Sequence, residues 1–590
     1  MYSEYEIRSI PLSLKPVRLK VERFLADSGL RLDDVDYYAV VSRIDSEDIL
    51  AGGGLKRDLI KCLAVSEELR GTGMMQRLIS HLISEAHAQG HDCIKVFTKP
   101  ENRDIFESLG FSTLATAPKA IFMENGLRGL DAYCSYLKGL AAKHKGQNGV
   151  IVMNANPFTI GHKALVEWAA AQVDTLFVIA VKENLSLFTS DERLEMIERG
   201  CEHLSNVVVC HGSDYAISAG TFPTYFLKKL NDATDTHITL DLDLFARHIA
   251  PALKATIRFV GSEPNDVVTA RYVELMQELL PQHNIDVRVM PRIKHGDTTV
   301  SATIVRKHIG ENHLQPAAEL VPSTSVPELL GHLASNALQL ELDTTPKPGL
   351  VDKQDNGAHS DMDYSTMKRS IDALIPYFDE LAKMGNHEEL PSADSIKSQG
   401  LRGEDLMLNA THGVNTHKGA IFALGLIDTA AAHAMHEHGY ITAEWLQNDI
   451  IKLAKPLASA EHTHGNDAVN QYHVDGALAI AKDGYKQLFK EWLPFYRSLE
   501  GDQWQRHKTL LFIMATLDDT NVIHRVGYER AQKVKAEAKA LLDNFSIEKL
   551  EEMNHEFISE NISPGGAADM LSLTIFVSSL LQDNNVNNYQ

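Results

Sequence analysis

Cysteine is scarce in this chain. Five thiols, Cys62, Cys93, Cys134, Cys201 and Cys210, are scattered through 590 residues, with no Cys-x-x-Cys spacing. That excludes a disulfide framework or a cysteine-based zinc ribbon and predicts reduced thiols in a cytoplasmic protein. Basic charge is short as well: 57 Lys and Arg against 79 Asp and Glu leave a net charge of −22. This balance argues against broad binding to nucleic acid or to an anionic membrane. Small anionic substrates stay open, because a local site can be basic on an acidic protein. Long apolar runs are also missing. The run Gly419–Ile427 is among the longest and falls far short of the ~20 residues a spanning helix needs. The start MYSEYEIRSI has no apolar signal core, so a soluble, cytoplasmic protein is expected.

What is present is an ordinary globular composition, 44% hydrophobic and 23% charged. The chain is too long for a single core. Three segments differ in texture: 1–140, 145–325 and 335–590. Pro316, Pro322 and Pro327, with Ser323-Thr324-Ser325 among them, read as a linker before the third.

The middle segment carries the clearest chemistry. In GVIVMNANPFTIGH, Val150–Met153 predicts a short buried strand, Asn154–Gly161 a tight loop, and His162 the opening of a helix. A loop that leaves a parallel strand and enters a helix N-terminus is a phosphate site in α/β folds. Strand-like and helix-like runs then alternate to Met290, which predicts a doubly wound parallel sheet. At the far end, TTVSATIVRKHI places Ser301 as an N-cap and Arg306 in the second turn of a helix. Spacing alone therefore points to nucleotidyl transfer. His162 would donate to a phosphate, with Asn156, Thr159, Ser301, Thr303 and Arg306 around the nucleotide.

The two motifs together resemble the adenylyltransferase superfamily, with Thr159 standing where the HxGH motif has its first His. The first segment resembles the GNAT acetyltransferase fold. Its strand Leu59–Val65 leads into Arg70-Gly71-Thr72-Gly73 and an apolar-faced helix, and FESLGF follows later. In that family the loop of Arg70, Gly71 and Gly73 holds acyl-CoA. Glu68 departs from the pattern, because Gln or Arg is usual there. Taken with NANPFTIGH, FTSDERLEMI and VSATIVRK, residues 1–330 resemble the citrate lyase ligase family. The resemblance implies that ATP and acetate form acetyl-AMP and pyrophosphate. The acetyl group then passes to the prosthetic-group thiol of the citrate lyase acyl carrier protein.

The third segment predicts an all-α domain with chemistry in its loops. TTPKPGLVDKQDNGAHSDMDY offers Lys347, Asp352, Asp361 and Asp363; THGVNTHKGAIF offers Asn415 and Lys418. LDDTNVIHRVG adds Asp518, Asp519 and Arg525, and SPGGAADM adds a glycine loop. Carboxylates for Mg²⁺ and cations for phosphates are what a nucleotide site requires. Singly, the acidic pairs read as helix caps or solvated turns, and His462-x-His464 reads as structural rather than as a zinc site.

The four loops together resemble the triphosphoribosyl-dephospho-CoA synthase family. This implies transfer of the triphosphoribosyl part of ATP to dephospho-CoA with release of adenine. On that reading Asp352 or Asp361 is the base, Asp361, Asp363, Asp518 and Asp519 bind metal, and Lys347, Asn415, Lys418 and Arg525 hold the nucleotide. The whole reads as a multidomain, bifunctional enzyme of citrate lyase maturation. Its rivals are a nucleotidyltransferase for another small molecule with a nucleotide-sensing C-terminal domain, or prosthetic-group synthesis for malonate decarboxylase.

Overall fold

The computed structural model describes residues 4–182, 187–215, 230–262, 266–296, 298–458 and 476–581. The chain divides into two compact units, residues 1–155 with 161–299, and residues 156–160 with 300–590.

The first unit contains two sheets. Strands β1 (Tyr5–Ser9), β2 (Tyr37–Arg43), β3 (Ala51–Lys56), β4 (Leu59–Val65), β5 (Cys93–Thr98), β6 (Ser112–Ala117) and β7 (Ala120–Gly126) form a sheet in the order β1-β2-β3-β4-β5-β7-β6. All its pairings are antiparallel except β4–β5. That pair touches only at Leu59↔Lys95 and Ile60↔Val96, so the two strands part beyond these residues. The second sheet comprises β8 (Asn148–Met153), β9 (Thr175–Ala180), β10 (Val207–His211), β11 (Ala255–Gly261) and β12 (Asp286–Met290). Its order is β10-β9-β8-β11-β12, parallel throughout. The chain leaves β8 toward one side and returns on the other, which makes the carboxyl end of β8 the switch point where such sheets bind ligands.

Period-two alternation sorts the first sheet's residues onto two cores. Ala39, Val41, Val96, Ile121 and Met123 pack against helix Met74–Ala88. Tyr38, Val40, Phe97 and Phe122 join Val150, Phe177 and Leu242 of the doubly wound region in one continuous core. The α+β module and the α/β domain, expected as separate segments, therefore share an interior.

In the second unit every regular element among the described residues is helical. Helices Val326–Leu342, Lys418–His438 and Gly565–Leu580 are buried along most of their length, as expected for helices apolar on all sides. The fold class expected from sequence, α+β, then α/β, then all-α, is the one observed. The linker reading is corrected. Leu314, Ala317, Leu320, Val321 and Val326 around those prolines are buried, and Pro327 opens a central helix. Apolar side chains between the prolines pull the segment into the helical core. The His462 and His464 pair lies outside the described residues. No helix among the described residues is long and apolar enough to cross a membrane.

Candidate active sites

Where β4 and β5 part, a cleft of about 690 Å³ opens, lined by Ala64, Leu69, Arg70, Gly71, Phe97 and Asn102 among others. Gly71 and Gly73 have φ of +75° and +81°, the left-handed region that glycine enters without cost. Gly73 caps helix Met74–Ala88. Glu68 faces Arg43 at 3.4 Å.

In the doubly wound domain His162 lies in the first turn of helix Ile160–Ala170. Desolvation, reinforced by the Arg292 guanidinium, lowers its pKa to about 4, so it is a neutral imidazole at neutral pH. The sequence reading missed Arg193, which is fully buried. Its Nη1 donates to the Asn154 carbonyl at 2.8 Å and the Val181 carbonyl at 2.9 Å, and its Nε to the Thr189 carbonyl at 3.2 Å. Thr189 and Glu192 form a capping box at the start of helix Ser190–Cys201. Arg193 thus ties the chain after β8 to the chain after β9 and to that helix. The only sequence signal was an arginine inside an otherwise ordinary amphipathic helix.

The loop residues Asn156–Ile160 belong to the second unit, as do Ser301, Thr303 and Arg306. Asn156, Phe158 and Thr159 are buried. Arg306 donates through Nη1 to the Asn156 carbonyl, and through Nη2 to Thr303 Oγ1 at 3.1 Å. Ser301 caps helix Ala302–Gly310, its side chain accepting from the Thr303 amide at 3.3 Å. The two halves of the predicted motif are joined here by a direct contact. His162 falls in the first unit.

In the helical domain Lys347 is almost fully buried and pairs with Glu341, also buried. Burial raises the Glu341 pKa, and Lys347 pulls it partly back. A buried ammonium demands a counter-charge, which is the signal that could have found Glu341. Asp352 takes the amides of Lys347 (2.8 Å), Gln354 (2.7 Å) and Asp355 (3.2 Å), so it shapes the loop. Gly349 presses on the Ile562 carbonyl, where a Cβ would lie 2.1 Å away. Arg525 fastens the same loop, with Nη1 donating to the Ala358 carbonyl at 3.1 Å and to Asn561 at 2.9 Å. His359 stands 2.9 Å from Ser563 Oγ and 3.7 Å from Asp361.

The other predicted residues hold helix ends or cations. Asp363 caps helix Tyr364–Gly385 through Thr366, which holds its carboxyl below the usual range. Asp519 caps helix Thr520–Val526 and also takes the Ala567 amide at 2.9 Å. Asp518 pairs with Lys535 at 2.7 Å. Asn415 accepts from the Lys418 amide at 3.3 Å, and Lys418 Nζ pairs with Glu404 at 2.8 Å. No three of Asp361, Asp363, Asp518 and Asp519 bring their oxygens within metal-ligand reach of one another. Among the described residues the group that does so is His308, Glu311 and His313. Asp569, inside SPGGAADM, was not singled out from sequence. Burial, with the nearby Glu341 and Asp519 carboxylates, pushes it well above the usual range.

Two family models match, and they meet inside helix Val326–Leu342. Residues 148–329 match the citrate lyase ligase C-terminal domain, and residues 327–588 match ATP:dephospho-CoA triphosphoribosyl transferase. A [citrate [pro-3S]-lyase] ligase of Haemophilus influenzae is 40% identical over 312 residues, 52% of this chain and 93% of that protein. A Streptococcus mutans relative that carries the name 2-(5''-triphosphoribosyl)-3'-dephosphocoenzyme-A synthase is 34% identical over 288 residues, 43% of this chain and 96% of that protein. A solved structure of a triphosphoribosyl-dephospho-CoA synthase from Archaeoglobus fulgidus aligns at a TM-score of 0.27 and 17% identity, covering 37% of this chain and 98% of that one. The chain is a ligase fused to a transferase. It belongs to the citrate lyase ligase family through its first half and to the triphosphoribosyl-dephospho-CoA synthase family through its second.

Proposed function

We propose that the two halves consume ATP in two different ways to mature citrate lyase. In the first half, acetate attacks the α-phosphorus of ATP, giving acetyl-AMP and pyrophosphate. The acetyl group then moves to the prosthetic-group thiol of the citrate lyase acyl carrier protein. Neutral His162 donates a hydrogen bond to the phosphate, and Arg306 with the Ser301-capped helix start supports the departing pyrophosphate. In the second half, a ribose hydroxyl of dephospho-CoA attacks C1 of the ATP ribose, and adenine leaves with the triphosphate intact. Magnesium enters with ATP as the chelated substrate.

The observation that carries this reading is coverage. Two relatives with successive roles in one prosthetic group's history are each matched over nearly their whole length, 93% and 96%. ATP–pyrophosphate exchange tests the first half. Exchange that requires acetate is expected; exchange with another acid, and none with acetate, would replace the ligase by a nucleotidyltransferase of different substrate.

A further inference from the structure

Most acidic side chains in and beside the motif loops of the helical domain are already occupied. Asp352 and Asp519 hold backbone amides, Asp363 caps a helix, and Asp518 and Glu341 each hold a lysine. Asp361 is 62% exposed beside His359. Asp569 differs from all of these. Among the described residues no hydrogen bond or ion pair engages it, and its neighbours act on it only through their fields.

Its place is fixed by Gly419. A Cβ at Gly419 would lie 2.0 Å from Asp569 Oδ2, so a larger residue there would push the carboxylate aside. Gly419 is the second residue of helix Lys418–His438 and is exposed. The carboxylate therefore stands at an open helix start, where backbone amides favour a negatively charged ligand.

The residue just before that helix supplies a second sign of a ligand. His417 is 4% exposed. Its Nδ1 lies 2.8 Å from Ser370 Oγ, while its Nε2 is shielded from solvent and has no partner. A buried polar atom left unmatched is costly unless something else satisfies it. Lys347 is close enough for its charge to lower the His417 pKa, after desolvation. Lys347, Glu341, His417, Gly419 and Asp569 thus form one connected neighbourhood.

We propose that Asp569 is a catalytic residue of the triphosphoribosyl transfer, the carboxylate that touches the attacking ribose hydroxyl and takes its proton. The inference rests on the reading of the helical domain given above. The acceptor oxygen forms its bond to C1 of the ATP ribose as the bond from C1 to the adenine nitrogen breaks. The electron pair of that bond leaves with adenine. The proton taken from the hydroxyl is returned to the departing base, so the carboxylate is restored and no other reactant is needed. The amides at the start of helix Lys418–His438 face the triphosphate, and His417 Nε2 faces the substrate ribose. The upward push on the Asp569 carboxyl is in the direction a general base requires.

The full-length chain is assayed for adenine release from Mg-ATP and dephospho-CoA. Asp569→Asn is expected to lower kcat at least about 100-fold, with KM for dephospho-CoA changed less than about threefold. Asp569→Ala is expected to regain turnover when formate is added, which a purely structural carboxylate would not show. Gly419→Ala, which keeps the carboxylate but displaces it, is expected to lower kcat as well and carries the test should Asp569→Asn fail to fold. Full activity in Asp569→Asn, a loss confined to KM, or no formate rescue would overturn the assignment. A wild-type chain that releases no adenine would instead overturn the parent reading.

Discussion

Lys347 and Glu341 form an ion pair sealed inside the helical domain, the ammonium 1% and the carboxylate 5% exposed. A buried pair gains little over apolar residues, yet breaking it strands a charge, at a cost of about 3–5 kcal/mol. Lys347→Met is therefore expected to lower the domain's stability by about that amount in urea unfolding, and Lys347→Met with Glu341→Leu to recover much of it. Equal instability of the single and double variants would show that the pair is not what matters.

His417 gives the domain an acid limit. Burial, with Lys347 nearby, lowers its pKa from 6.5 to about 3. The folded state therefore favours the neutral ring. Above the ordinary value both states are neutral and stability is intact. As pH falls below 6.5, the unfolded chain takes up a proton that the folded chain refuses until about 3. Stability is lost across that window. Urea midpoints measured at falling pH should decline, and His417→Asn should flatten the decline; an unchanged slope would contradict it.

Arg193 bridges Asn154, Val181 and Thr189 by backbone carbonyls. Arg193→Met removes these three hydrogen bonds, each made by a charged donor and worth about 1.5–3 kcal/mol. Acetate-dependent pyrophosphate release should fall sharply, while adenine release by the same chain should hold. Parallel loss of both activities would mean general unfolding.

Arg306→Ala removes a cation from the VSATIVRK motif and frees the Asn156 carbonyl. A fall of about 10²–10³ in kcat for pyrophosphate formation is expected. Arg306→Lys should restore little, because one ammonium cannot reach both the Asn156 carbonyl and Thr303 Oγ1 in Arg306's geometry. Full activity in Arg306→Lys would point to charge alone.

Much of the fold was legible because its signals are local. Val150–Met153 and Leu176–Val181 read as strands from apolar runs, and Ser301 read as a cap from its position. The linker was misread because proline marks a turn wherever it stands, whereas burial of Leu320 and Val321 depends on distant partners. The same limit governs the sites. Motif density drew attention to these loops, but not to what each carboxylate does: Asp352 and Asp519 bind amides whose positions only the fold sets. Glu341 and Asp569 were passed over because neither stands out until Lys347 and Gly419 come against them.

The most direct measurement is chromatography of the products from one chain under two conditions. With Mg-ATP and acetate, AMP and pyrophosphate are predicted and adenine is not. With Mg-ATP and dephospho-CoA, free adenine is predicted in proportion to dephospho-CoA consumed. AMP without adenine in both conditions would contradict the two-enzyme account and leave the helical domain without its reaction.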